Sequence, residues 1–165
     1  MNHNITFSVK HQYKQLMYSL WTPDMHKNCT IQSSGEIIQI SRQINFIHKT
    51  PIIQRLVLAS EYRIIGDELT VYDTINNTCK IISNIRVIDE KTNEHIMDVS
   101  EQKIYKEIIN NNLGTEIIIN SLFEPKKLIP DVFTKYWVDG YKDYYKNIKI
   151  VNNNDNLYPM LCEKI

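Results

Sequence analysis

The sequence predicts a small α+β domain built around a mostly antiparallel sheet, with helices at its periphery. Three observations predict it. The apolar fraction, 42% of 165 residues, is rich in Ile, whose β-branched side chain fits a pleated surface. Short alternating apolar–polar segments recur, several joined by tight turns. The regular strand–helix–strand alternation of a parallel sheet is missing. The length suits one domain, taken as residues 1–165.

The elements follow in order. Asn4 to Val9 alternates as a strand. Tyr13, Leu16, Met17 and Leu20 then fall at helical spacing, and Trp21-Thr22-Pro23 ends that helix, because proline disfavours helix in the residue before it. Cys29 to Gln32 reads as a short strand before the Ser33-Ser34-Gly35 turn. Ile38, Ile40, Ile44 and Phe46 share one face of the next strand, with Arg42 in the middle of that face. Two readings stay open there: a bulge near Arg42, or a guanidinium on an apolar surface, which needs a carboxylate or phosphate partner. Thr50-Pro51 has the form of a helix start, with the helix running to about Ala59. Tyr62 to Ile65, Gly66-Asp67 and Leu69 to Tyr72 read as strand, turn, strand. Cys79 to Val87 is another strand, entered through Asn76-Asn77. Ser100, Ile104, Tyr105, Ile108 and Ile109 are spaced as a helix, and Thr115 to Asn120 as a strand. Phe133, Trp137, Tyr141, Tyr144 and Ile148 mark a further helix, before a closing strand at Leu161 to Ile165. The whole reads as a small β-barrel or curled sheet.

Composition removes several function classes. The charges cancel, 19 basic against 19 acidic, and there are only 4 glycines; no GxxxxGKS/T or GxGxxG occurs, so phosphate-cradling loops are not expected. Cys29, Cys79 and Cys162 are widely spaced without CxxC, which fits neither a disulfide framework nor a zinc site. No HExxH or GxSxG is present, and no metal or cofactor is expected. With no signal-like segment and no apolar run near the roughly twenty residues of a span, an intracellular protein, in cytoplasm or nucleus and without a membrane partner, is expected. The Ile, Asn, Lys and Tyr bias is that of an AT-rich genome, viral or microbial. Charge is uneven, however. Residues 1–60 hold six basic residues (Lys10, Lys14, Lys27, Arg42, Lys49, Arg55) against Asp24 and Glu36, net +4, which permits an anion-binding face.

Two stretches resemble the ASCH branch of the PUA-like superfamily: Gly66-Asp67-Glu68-Leu69-Thr70-Val71-Tyr72 running into the Cys79 to Val87 strand, and the succession from Leu128-Ile129-Pro130 through Tyr136, Tyr141, Tyr144 and Tyr145 to Glu163-Lys164-Ile165. The resemblance covers about two thirds of the chain. It implies a PUA-like barrel that binds RNA or a modified nucleotide in a cleft beside the N-terminal loop, with His26, Lys27, Arg42 and Tyr72 as ligand-contacting residues. Single-stranded nucleic acid recognition needs aromatic planes and polar groups that reach base edges.

The resemblance also implies an alternative, a small amidohydrolase acting on an acylated nucleoside. Lys27 and Thr30 match its Lys-x-x-Thr element, in a loop that lacks the family's glycine. Glu124 is the matching carboxylate, with Glu101 and Glu116 as substitutes. There an activated amine or hydroxyl attacks the amide while a carboxylate moves the proton. A third reading is a non-catalytic protein-interaction protein, marked by an exposed apolar patch.

Overall fold

The computed structural model describes residues 1–20, 29–110 and 114–150. Seven strands form one antiparallel sheet: β1 (Asn2–Val9), β2 (Cys29–Ser34), β3 (Ile37–Lys49), β4 (Glu61–Asp73), β5 (Thr78–Asp89), β6 (His95–Ile108) and β7 (Gly114–Pro125). Two α-helices complete it, α1 (Tyr13–Leu20) and α2 (Asp131–Asn147). The strand order is β1-β7-β6-β5-β4-β3-β2. The α+β, antiparallel expectation therefore holds. The barrel does not close among the described residues, where β1 and β2 are unpaired edges of an open sheet. The expected closing strand at 161–165 lies outside the described residues.

Alternation decides which side chains are inside. Odd residues of β1, β5, β6 and β7 and even residues of β3 and β4 share the inner face. The core is in two parts. One gathers Ile38, Ile40, Tyr72, Cys79, Tyr105, Ile117 and Ile119 beneath α1, whose Leu16 and Met17 are 0% and 1% exposed. The other gathers Ile64, Ile85, Val87, Met97, Val99 and Phe123 beneath Phe133 of α2.

Four expectations are corrected. Ser100 to Ile109 is not a helix but the body of β6, paired on both sides. Gly66-Asp67 is not a turn, because β4 runs unbroken through it. Glycine stands there because a Cβ at Gly66 would meet the Asn84 carbonyl oxygen at 2.1 Å, so β5 crosses too close for any side chain. Thr50-Pro51 opens only a 3-10 turn, Ile52–Leu56, with no side-chain cap. On α2 the inward aromatic of the last turns is Tyr145, 2% exposed, and Tyr144 is 54% exposed. Tyr145 faces in because its hydroxyl meets that of Tyr105 at 2.5 Å inside the core.

Candidate functional site

Arg42 resolves the choice left open by its sequence. The β3–β4 register is continuous from Ile37 to Lys49, so there is no bulge. The guanidinium lies on the inner face, and its Nε donates to Glu68 Oε1 at 2.6 Å. The Glu68 side chain is 9% exposed and that of Arg42 29%.

This pair belongs to a longer feature. Ladder partners link Cys29, Arg42, Glu68, Ser83, Glu101, Ser121 and His3, one residue from each strand, in a single row across the inner face. The row separates the two apolar clusters. Glu101, Ser83 and Ser121 are 4–5% exposed. Helix α2 crosses above it and contributes two donors. Glu101 Oε2 accepts from Ser121 Oγ at 2.7 Å, Trp137 Nε1 at 3.2 Å and the Tyr141 hydroxyl. On its other side Glu101 Oε1 stands 4.0 Å from Lys103 Nζ, which lies 4.8 Å from the centre of the Tyr141 ring.

The electrostatics follow from this crowding. Burial pulls the Lys103 ammonium pKa down, but the negative charge that Tyr141, Tyr145, Glu101 and Glu68 carry when ionised outweighs it and holds it well above the ordinary lysine value. Lys103 is therefore a fixed cation. Burial pushes the Tyr141 phenol far up, so Tyr141 stays neutral and donates to Glu101. Two ion pairs thus lie between apolar clusters of Ile, Val and Phe, where ionic groups are costly unless paired and hydrogen-bonded.

The expected site residues fare unevenly. Arg42 is on the row. Tyr72 is on the same face but 4% exposed and packed in the apolar cluster, so it offers no open stacking plane. His26 and Lys27 lie outside the described residues. Thr30 and Glu124 are both exposed on the outer face, on β2 and β7, with four strands between them. At about 4.8 Å per strand that is roughly 24 Å along the sheet, so the described residues do not bring this pair together. Glu124 lines an outer groove with Asn45, Asp67, Asn84, Arg86 and Asp98. The described cations of residues 1–60 are also dispersed. Lys10 and Lys14 lie at the α1 end of the sheet, while Lys49 and Arg55 lie at the opposite end of β3.

Glu68, Lys103, Ser121 and the inward role of Glu101 escaped the sequence reading. The signal was there: Met97, Val99, Glu101, Lys103 and Tyr105 alternate in phase, with two charged residues at inward positions. Among the described residues, no group of three or more His, Cys, Asp and Glu is placed to hold a metal ion, and no helix is long and apolar enough to cross a membrane.

No family model matches the chain, and no curated protein matches it. Solved structures do show similarity. Ara h 8.0201 is 10% identical, with 88% of this chain and 92% of that one covered and a TM-score of 0.42. The Zhui aromatase/cyclase from Streptomyces sp. R1128 is 8% identical, with 99% and 93% covered and a TM-score of 0.39. A conserved protein from Geobacillus kaustophilus is 13% identical, with 99% and 91% covered and a TM-score of 0.39.

Proposed function

We propose that this chain is a binding module for a nucleotide-sized ligand, held along the polar row of the inner face and entering beside Arg42. The observation that carries this reading is the presence of two ion pairs, Arg42–Glu68 and Lys103–Glu101, on one polar row between two apolar clusters. Stability alone does not account for them, because well-packed apolar residues in place of a buried ion pair are often as stable or more so. A cluster of ionisable groups of this kind, with Lys103 and Tyr141 both held above their ordinary values, suits a ligand site.

The chemistry suits a heterocycle bearing an anion. Arg42 is committed through Nε only, and among the described residues its terminal guanidinium nitrogens have no acceptor. They are suited to bidentate capture of a phosphate or carboxylate. Glu68 and Glu101 accept from ring N–H groups, and the aromatic face of α2 covers the row. A mononucleotide or modified nucleoside fits better than an RNA strand, because among the described residues the N-terminal cations are dispersed and form no track for a polymer backbone. Binding without turnover is favoured over amidohydrolysis by the separation of Thr30 from Glu124.

Thermal-shift and calorimetric titration of the full chain with nucleosides, nucleoside monophosphates, N-acylated cytidine, inorganic phosphate and an RNA oligomer tests this. A nucleoside monophosphate is expected to raise Tm, and Arg42→Gln to remove the shift. Absence of any shift or heat at millimolar ligand overturns the reading. Salt-sensitive binding of the oligomer alone would replace it with a polymer-binding one.

A further inference from the structure

The connection between β3 and β4 carries an independent feature. Its 3-10 turn exposes four aliphatic side chains in six residues: Ile52 at 79%, Ile53 at 85%, Leu56 at 89% and Val57 at 57%. The segment is nonetheless well anchored. Thr50 N donates to Ser60 O at 2.9 Å, Leu58 N to Gln54 O at 3.0 Å, and Ala59 N to the Tyr62 hydroxyl at 2.9 Å. Leu58, 7% exposed, is its one buried aliphatic. The connection is therefore a built knuckle with its apolar side turned outward. Leu128, 98% exposed, lies at the same end of the sheet, just beyond the end of β7.

Charge narrows the choice of partner. From Ile37 to Ser60 there is no acidic residue, while Lys49 precedes the exposed aliphatics and Arg55 lies among them. Arg55 Nε is bonded to the Thr50 carbonyl at 2.8 Å, and among the described residues neither cation is ion-paired. Glu61 lies opposite Lys49 in the β3–β4 ladder without bridging to it. Four aliphatic side chains offer on the order of 400 Å², about half of the roughly 800 Å² that each partner contributes to a stable protein interface. A second copy is a poor match, because self-pairing would set Lys49 and Arg55 against like charges with no acidic residue from Ile37 to Ser60 to receive them. A bilayer surface needs no matching contour, and it rewards exposed apolar groups beside cations.

We infer that this knuckle is a membrane-contact site, in which Ile52, Ile53, Leu56 and Val57 insert shallowly into an anionic lipid surface and Lys49 and Arg55 meet the headgroups. The sequence expectation of no membrane partner rested on the lack of a spanning segment, and surface contact needs none. The inference does not depend on the nucleotide reading.

Co-flotation of the full chain with phosphatidylcholine vesicles, and with vesicles one-third phosphatidylserine, tests it. Binding is expected to the anionic vesicles. Ile53→Ser/Leu56→Ser should weaken it at least tenfold, and Lys49→Gln or Arg55→Gln about fivefold each, with Tm unchanged in Ile53→Ser/Leu56→Ser and Lys49→Gln, whose side chains are exposed. Failure to float with anionic vesicles overturns the inference. So does binding that survives Ile53→Ser/Leu56→Ser. A concentration-dependent dimer abolished by that same variant, without vesicle binding, assigns the knuckle to a second copy instead.

Discussion

Arg42→Met, Glu68→Leu and the double substitution form a cycle that separates a pair kept for stability from one kept for binding. Arg42→Met leaves a carboxylate whose side chain is 9% exposed without its bonded donor. Breaking a buried pair in this way costs about 3–5 kcal/mol. The nearby Lys103 charge, which interacts with Glu68, offsets part of that, and about 2–4 kcal/mol remains. Glu68→Leu costs less, about 1–2 kcal/mol, because Arg42 is 29% exposed and recovers water contact. The double variant removes both charges and fills the space with apolar atoms, so it should lie within about 1 kcal/mol of the parent. Urea unfolding followed by tryptophan fluorescence measures all three. With a slope of about 2 kcal/mol/M, the midpoint of Arg42→Met falls by about 1–2 M and that of the double variant barely moves. The double variant should also lose its nucleotide response. Strict additivity, with the double variant as unstable as the two singles combined, would refute the claim that these side chains interact inside the core.

Three further outcomes are expected. Gly66→Ala places a Cβ against the Asn84 carbonyl and should cost about 3 kcal/mol or more, read as a large fall in Tm or as failure to fold. Tyr105→Phe leaves the buried Tyr145 hydroxyl without its partner at 2.5 Å and should cost about 1–3 kcal/mol, while Tyr105→Phe/Tyr145→Phe should recover most of it in the same urea assay. The folded pKa values of Lys103, Tyr105 and Tyr141 are all raised, so above about pH 10 the unfolded chain binds fewer protons than the folded one. Stability is then intact below about pH 10 and falls above it, by about 1.4 kcal/mol per pH unit for each proton the folded chain retains and the unfolded chain has lost. A flat stability between pH 9 and 11 would contradict those environments.

What was legible in the sequence depended on whether apolar periodicity ran uninterrupted. β1, β3, β5 and α1 were recognisable because their inward positions are mostly apolar, and Arg42 was noticed because it breaks the pattern of an otherwise regular strand. β6 was misread because Glu101 and Lys103 occupy two consecutive inward positions, which leaves Ile104, Tyr105, Ile108 and Ile109 to imitate a helical stripe. Gly66-Asp67 has the composition of a turn, and only the nearness of β5 explains why glycine is needed in mid-strand. Nothing local distinguishes Tyr144 from Tyr145. That choice is made across 40 residues by the Tyr105 hydroxyl.

The misreading of β6 and the location of the candidate site have one cause. A strand that places a carboxylate and an ammonium where Val or Ile would serve gives up local consistency, and such conflicts concentrate where function competes with folding. Glu101 is tolerable there because three donors from two other elements converge on one of its oxygens. Two of the three come from α2, so the carboxylate also sets where the helix rests. A ligand that took over the Glu101 acceptor would release Trp137 and Tyr141 together and loosen the middle of α2, while Phe133 and Tyr145 stayed anchored in the two apolar clusters. On the proposed function, opening of the inner face would be coupled to ligand contact through a single side chain. Glu101→Gln, which keeps an acceptor but removes the charge that fixes Lys103, should weaken nucleotide binding and increase hydrogen exchange in α2 while leaving the sheet protected.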